Sequence, residues 1–158
     1  LFSMNIEKLI ENIGKVCSWL PLVLVMLISF DVFARYLLNF SSASFYELEW
    51  HIFALIFLLG SVYTSQMNQH VRVDVFYNRL SKKNQKKIDL IGDIIFLIPF
   101  SFIIFYTSLP FAGDSLKILE SSPDPGGLPF RFIIKSIIPL AFLLLGLQGV
   151  FRVLKNFK

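Results

Sequence analysis

HVRVDVFYNRLSKKNQKKIDLIGD, residues 70–93, is the most polar stretch of an otherwise apolar chain, and it lies near the middle. Arg72, Arg79, Lys82, Lys83, Lys86 and Lys87 crowd into it, and a pair of long apolar segments flanks it on each side. Loops rich in Lys and Arg are retained on the cytoplasmic side of a membrane, so a cationic cluster between hydrophobic spans sets topology. The stretch reads as a cytoplasmic loop joining two helical hairpins. Within it, Val73, Phe76, Tyr77 and Leu80 recur at helical spacing. That pattern predicts a short helix on the membrane surface, with Arg72 and Arg79 near phospholipid phosphates. Val71, Val73 and Val75 alternate with Arg72 and Asp74, which also allows a strand-like start.

Composition supports a membrane protein. Of 158 residues, 55% are hydrophobic and only 16% charged, and the mean hydropathy is +0.66. A soluble domain carries about 25% charged residues. The formal charge of +4 sits mainly between the apolar segments, so it reads as topological bias and not as a nucleic-acid surface. Cys17 is the single cysteine, which excludes an intrachain disulfide framework and a Cys-ligated zinc site. Glu7 and Glu11 interrupt the start of the chain, which does not read as a signal peptide.

Crossing about 30 Å of hydrocarbon takes roughly 20 apolar residues. Four segments qualify, at residues 17–38, 45–66, 82–109 and 130–154, and the whole chain reads as a single four-helix transmembrane domain. The expected fold class is an all-α integral membrane protein with short surface helices and both termini cytoplasmic. Asn5–Lys15 is an amphipathic lead-in expected at the membrane surface. Eleven Lys and Arg fall on the proposed cytoplasmic side, and four, Arg35, Lys117, Arg131 and Lys135, fall outside. Pro21 suits a first helical turn, Ser81 suits an N-cap, and Pro99 and Pro139 are expected to kink their helices.

Charges inside a span are costly and usually face other helices. Asp31 and Arg35 are four apart and share a helix face toward the outer end. They read as a packing pair in preference to an ion site, because acid and base neutralise each other. Glu47 and Glu49 lie in the first turns of the next span, where either can reach Arg35 across the turn. Asp31, Arg35 and one of these two glutamates are expected to form an outer polar cluster. His51 and His70 lie near opposite ends of one span, which does not suit a bis-His haem. No nucleophile elbow, phosphate loop or metal-ligand motif is present, and no cofactor is expected.

Four stretches in order carry a resemblance: DVFARYLLN (31–39), ELEWHIFALIFLLGSVYTS (47–65), HVRVDVFYNRLS (70–81) and SSPDPGGLPFRFIIKSIIPLAFLLLGLQG (121–149). Together they resemble the small membrane subunit, the DctQ-like or Q subunit, of tripartite ATP-independent periplasmic (TRAP) transporters. The resemblance implies a non-enzymatic scaffold in the bacterial inner membrane. Its partners would be a large membrane subunit that moves substrate by a sodium-driven elevator motion, a periplasmic binding protein that delivers an organic acid, and membrane phospholipids. Sodium would bind the partner and not this chain. Asp124, Pro125, Gly126 and Gly127 form a Pro/Gly-dense outer turn, read either as a contact for the binding protein or as a purely structural element. The rival classes are a redox-enzyme membrane anchor and a stand-alone small carrier.

The topology has a direct test in cysteine-accessibility labelling of intact cells. Cysteines placed within Lys82–Lys87 should be reached only from the cytoplasm and those within Asp124–Gly127 only from outside; the reverse pattern would overturn it.

Overall fold

The computed structural model describes residues 2–67, 77 and 79–156, and every regular element among them is helical. Helix α1 covers Phe2–Cys17, α2 Leu20–Leu37, and α3 Ala43–Gln66. Helix α4, Lys82–Gly92, passes through a π turn, Asp93–Leu97, into α5, Ile98–Lys117. Helix α6 covers Arg131–Asn156. Four helical stretches are long and apolar enough to cross a membrane: Lys8–Leu37, Ala43–Gln66, Lys82–Lys117 and Arg131–Asn156.

The break between α1 and α2 lies at Ser18 and Trp19, just before Pro21. Proline has no N–H to give to the carbonyl four residues earlier, so the α1 ladder ends at Cys17. At Pro99 the disturbance of the helix takes a definite form. The turn before it widens, and the Ile98 N–H reaches back five residues to the Asp93 carbonyl. A π turn inserts one extra residue, which gives the proline ring room and lets the helix continue. Ser81 caps α4, its Oγ accepting from the Asn84 N–H at 3.4 Å. The third span is longer than residues 82–109. Pro110 stands inside α5, which continues to Lys117, where the Lys117 ammonium meets Asp114 at 2.8 Å.

Helix α6 is the central element. It packs on α5 and the π turn on one side and on α3 on the other, and α2 adds to the far side of α3. The spans therefore line up in the order α2, α3, α6, α5, a row rather than a closed four-helix ring. Small residues allow the closest approach. Gly146 lies against Ser101 and Phe102, and Gly149 against Leu97 and Ile98, where an added Cβ would come within 2.9 Å of the isoleucine. This Gly-Leu-Gln-Gly stretch lacks the familiar four-residue glycine spacing, but it serves the same end of bringing backbones together.

The lead-in helix packs against the rest of the bundle. Ile10 is fully buried and belongs to the core with Val62, Ala141, Leu144 and Leu145. Gly14 rests on the Tyr63 ring, and a Cβ there would meet ring carbons at 2.1–2.6 Å. Ile10 and Ile13 of α1 are thus packed against α3 and α6, while Leu9 stays exposed. The expected surface helix at Val73–Leu80, with Arg72 and His70, falls mostly outside the described residues. Of this segment, Tyr77 donates its hydroxyl to Asp89 at 2.6 Å, and the Gln85 amide donates to the Tyr77 and Leu80 carbonyls, which folds the loop's end onto α4.

Overpacking a tight contact costs about 1–3 kcal/mol. Gly14→Val should therefore lower the thermal midpoint of the purified protein, and adding Tyr63→Ala should recover part of the loss. If Gly14→Val melts like the parent, α1 does not dock as described.

Candidate functional site

The outer end is organised by Glu47, in the second turn of α3 and only 1% exposed. Its carboxylate accepts from the Ser122 hydroxyl and from the Leu128 N–H at 2.6 Å, and it pairs with Arg131 at 3.5 Å. The Arg131 guanidinium lies over the Trp50 ring, 5.6 Å from its centroid. One turn back, the Ser44 hydroxyl donates to the Gly126 carbonyl. A single α3 face thus grips the whole connection between α5 and α6.

The connection is shaped to be gripped. Asp124-Pro125-Gly126-Gly127 is a type II turn, with proline second, Gly126 third at φ 76°, and the Gly127 N–H donating to the Asp124 carbonyl at 2.9 Å. Gly127 has no space for a side chain: a Cβ would meet Ser122 Oγ at 2.3 Å and Glu47 Oε2 at 2.9 Å. The Ser122 N–H donates to the Leu128 carbonyl at 3.1 Å, and the Arg131 N–H to the Glu120 carbonyl at 2.8 Å. Leu119 and Phe130, at the two ends of the loop, hold φ of 46° and 66°. A left-handed conformation costs a side-chain-bearing residue about 1–2 kcal/mol, so these surrounding bonds fix the loop against local strain. Lys135 pairs with Glu120 and also lies 4.4 Å from the Phe111 ring centroid. The Lys135 ammonium holds the Glu120 carboxyl below its usual value of 4.5.

Of the two glutamates that could complete the cluster of Asp31 and Arg35, Glu49 stands near that pair and Glu47 does not. Arg35 donates to Asp31, which is 3% exposed, and Glu49 feels the charges of both. Glu47 turns away from the α2–α3 hairpin because a richer donor set, two N–H or O–H groups and a guanidinium, awaits it on the α5–α6 connection. Asp124, Pro125 and Gly126 stand exposed at the tip of that connection, and Gly127 lies beneath them. Arg79, Lys82, Lys83, Lys86 and Lys87 are exposed at the other end of the molecule.

That inner end has its own fastening. Arg152 on α6 pairs with Asp93 of the π turn at 2.9 Å and donates to the Ser65 carbonyl and hydroxyl on α3 at 3.3 and 3.0 Å. Gln148, oriented with its amide nitrogen toward the Val62 carbonyl, donates there at 3.1 Å and accepts from the Gln66 N–H at 3.2 Å. One arginine and one glutamine therefore join three elements at this end of the molecule. Sequence reasoning placed Arg131 and Lys135 on the outer side without partners and left Ser122, Glu120, Asp93 and Ser65 unassigned. A signal was present: Glu47 opens one span and Arg131 and Lys135 open another at the same depth, a match of acid to base. Among the described residues no three His, Cys, Asp or Glu side chains gather to hold a metal. Both ends are chemically fasteners, in which ion pairs and hydrogen bonds tie one helix to the next.

If Glu47 is the fastener, a spin label at an Asp124→Cys position should be ordered at neutral pH and become mobile in Glu47→Ala, less so in Glu47→Gln. Acid should loosen the parent as well. A carboxyl held below its ordinary value stabilises the fold above that value, and the contribution is lost as pH falls through the lowered one; for Glu120 this lies below 4.5. A label equally ordered in all forms would remove the clamp from the account.

A family match accords with a multi-span membrane protein. The family described as tripartite ATP-independent periplasmic transporters, DctQ component, matches residues 24–158, from within α2 to the end of the sequence. Comparison with curated proteins finds no match. With most of its length covered by the family match, the chain belongs to the DctQ component family of tripartite ATP-independent periplasmic transporters, as the small permease component.

Proposed function

We propose that this chain is a static brace for the large membrane subunit of its transporter, held in the bacterial inner membrane with both termini cytoplasmic. The large subunit moves an organic acid across the membrane by an elevator motion coupled to a sodium gradient, and a periplasmic binding protein delivers the substrate. The observation that carries the reading is the double fastening of an open row. Glu47 with Arg131 locks the outer end, Arg152 with Asp93 and Ser65 locks the inner end, and the core between them is apolar.

A carrier needs a site that is exposed to each side in turn, and so needs elements that separate. Here every neighbouring pair from α3 to α5 is joined by polar bonds at one end or both, which opposes such separation. A brace needs this stiffness, and it also needs wide faces for a partner. The row supplies them: α2 and α5 keep large apolar side chains exposed, including Met26, Phe33, Phe100 and Ile103. The third helical run adds reach. Its 36 residues extend about 54 Å, well beyond a hydrocarbon core of about 30 Å, so it tilts or projects.

Liposomes holding the large subunit with this chain, supplied with loaded binding protein, should take up substrate under an inward sodium gradient. Replacing sodium with potassium should abolish uptake, and so should leaving out this chain. Uptake by this chain alone would contradict the brace, and uptake unchanged without sodium would contradict the coupling.

A further inference from the structure

The row has two free edges, and their chemistry differs. The α5 edge presents Ile94, Ile95, Phe96, Phe100, Ile103 and Tyr106 without a charge among them. The α2 edge is equally apolar along Val25, Met26 and Phe33, but toward its outer end it carries Asp31, Arg35 and, from α3, Glu49.

The charges on that edge do not balance. Elsewhere each acid at a helix junction has its own cation: Glu47 has Arg131, Glu120 has Lys135, and Asp93 has Arg152. On the α2–α3 hairpin two carboxylates share one guanidinium. Arg35 gives its hydrogen bond to Asp31, which is buried against α3 beside Ala34. Glu49 lies within the field of both, yet its Oε1 is buried and accepts no hydrogen bond. The residue as a whole is only half-buried. Arg35 and Asp31 stand about half a turn and somewhat under two turns inside the end of α2 at Leu37, a depth of roughly 3 to 9 Å at 1.5 Å per residue. An excess negative charge there is costly in lipid, and the usual solution is a counter-charge from a neighbouring helix.

We propose that the α2 edge is the seat of a membrane-spanning segment of the large subunit, one that brings a Lys or Arg side chain to Glu49, and that the α5 edge faces lipid. This assignment rests on the brace reading and adds to it the side of the row that is occupied and the chemistry that selects it. Charge complementarity chooses between edges that apolar exposure alone leaves equivalent. The added cation brings the hairpin to neutrality, and the large exposed side chains of α2 supply the packing around it. An interface of this kind places its charged pair at the centre of an apolar rim, where water is excluded and the pairing is most selective.

The test uses the tagged chain co-expressed with the large membrane subunit of the same transporter. The parent should retain the large subunit on purification in mild detergent. Loss of one partner from a buried charge pair weakens association strongly, so Glu49→Gln should lower retention by about tenfold or more, and Glu49→Lys further still. A photo-crosslinking residue at Phe33 in an otherwise unchanged chain should join the large subunit, and one at Ile103 should not. That second measurement stands even if the Glu49 variants fold poorly. Equal retention by parent, Glu49→Gln and Glu49→Lys would overturn the charge pairing and leave Glu49 as a neutral, protonated carboxyl. Crosslinking from Ile103 and not from Phe33 would overturn the choice of edge. Failure of the parent itself to retain the large subunit would bring down the brace reading along with this assignment.

Discussion

The carboxylate of Glu47 is the interaction on which the outer half of the molecule depends. Two hairpins, α2–α3 and α4/α5–α6, have little reason to stay in register within lipid, because apolar side chains gain no hydrophobic free energy by leaving it for one another. Polar bonds and close packing must do that work. Glu47 supplies the polar part by accepting from Ser122, from the Leu128 backbone and from Arg131, all of which belong to the second hairpin. The loop between α5 and α6 becomes an extension of α3 rather than a free connector. Its left-handed Leu119 and Phe130 are held because the bonds between them leave no alternative path.

The inner end repeats the principle with the signs exchanged. There the cation is on α6, and the acid and the hydroxyl are on its neighbours, so Arg152 holds Asp93 and Ser65 at once. The π turn has a double role at this point. It accommodates Pro99, and it carries the Asp93 side chain that Arg152 grips. Between the two fasteners, Gly146 and Gly149 let α5 and α6 approach closely, while Ile10 from α1 fills the space between α3 and α6. Stiffness thus follows from fixing both ends of neighbouring helices, and it does not require a closed ring.

Much of this was legible in the sequence. Span number and the helical class follow from length and hydropathy, because nothing else allows so apolar a chain to satisfy its backbone in lipid. The Ser81 cap and the helix start at Pro21 are local chemistry, so they too can be read directly. The partners of Glu47 were not legible, since Ser122 and Leu128 are 75 and 81 positions away and nothing local marks them. The π turn escaped for a related reason: proline announces a disturbance, but the backbone around it decides between a kink and a widened turn. The docking of α1 was not legible because an amphipathic stripe looks the same whether all of it faces lipid or, as with Ile10, part of it fills a groove between two helices.

The central claim is that the two hairpins stay fixed while the transporter works. Double electron–electron resonance between spin labels at Ser41, in the α2–α3 connection, and Asp124, at the tip of the α5–α6 loop, measures it directly in the assembled transporter. The account predicts one narrow distance distribution that is the same with and without sodium and with and without loaded binding protein. A second distance that grows with sodium or substrate would show that the hairpins part during transport, and would contradict a static brace.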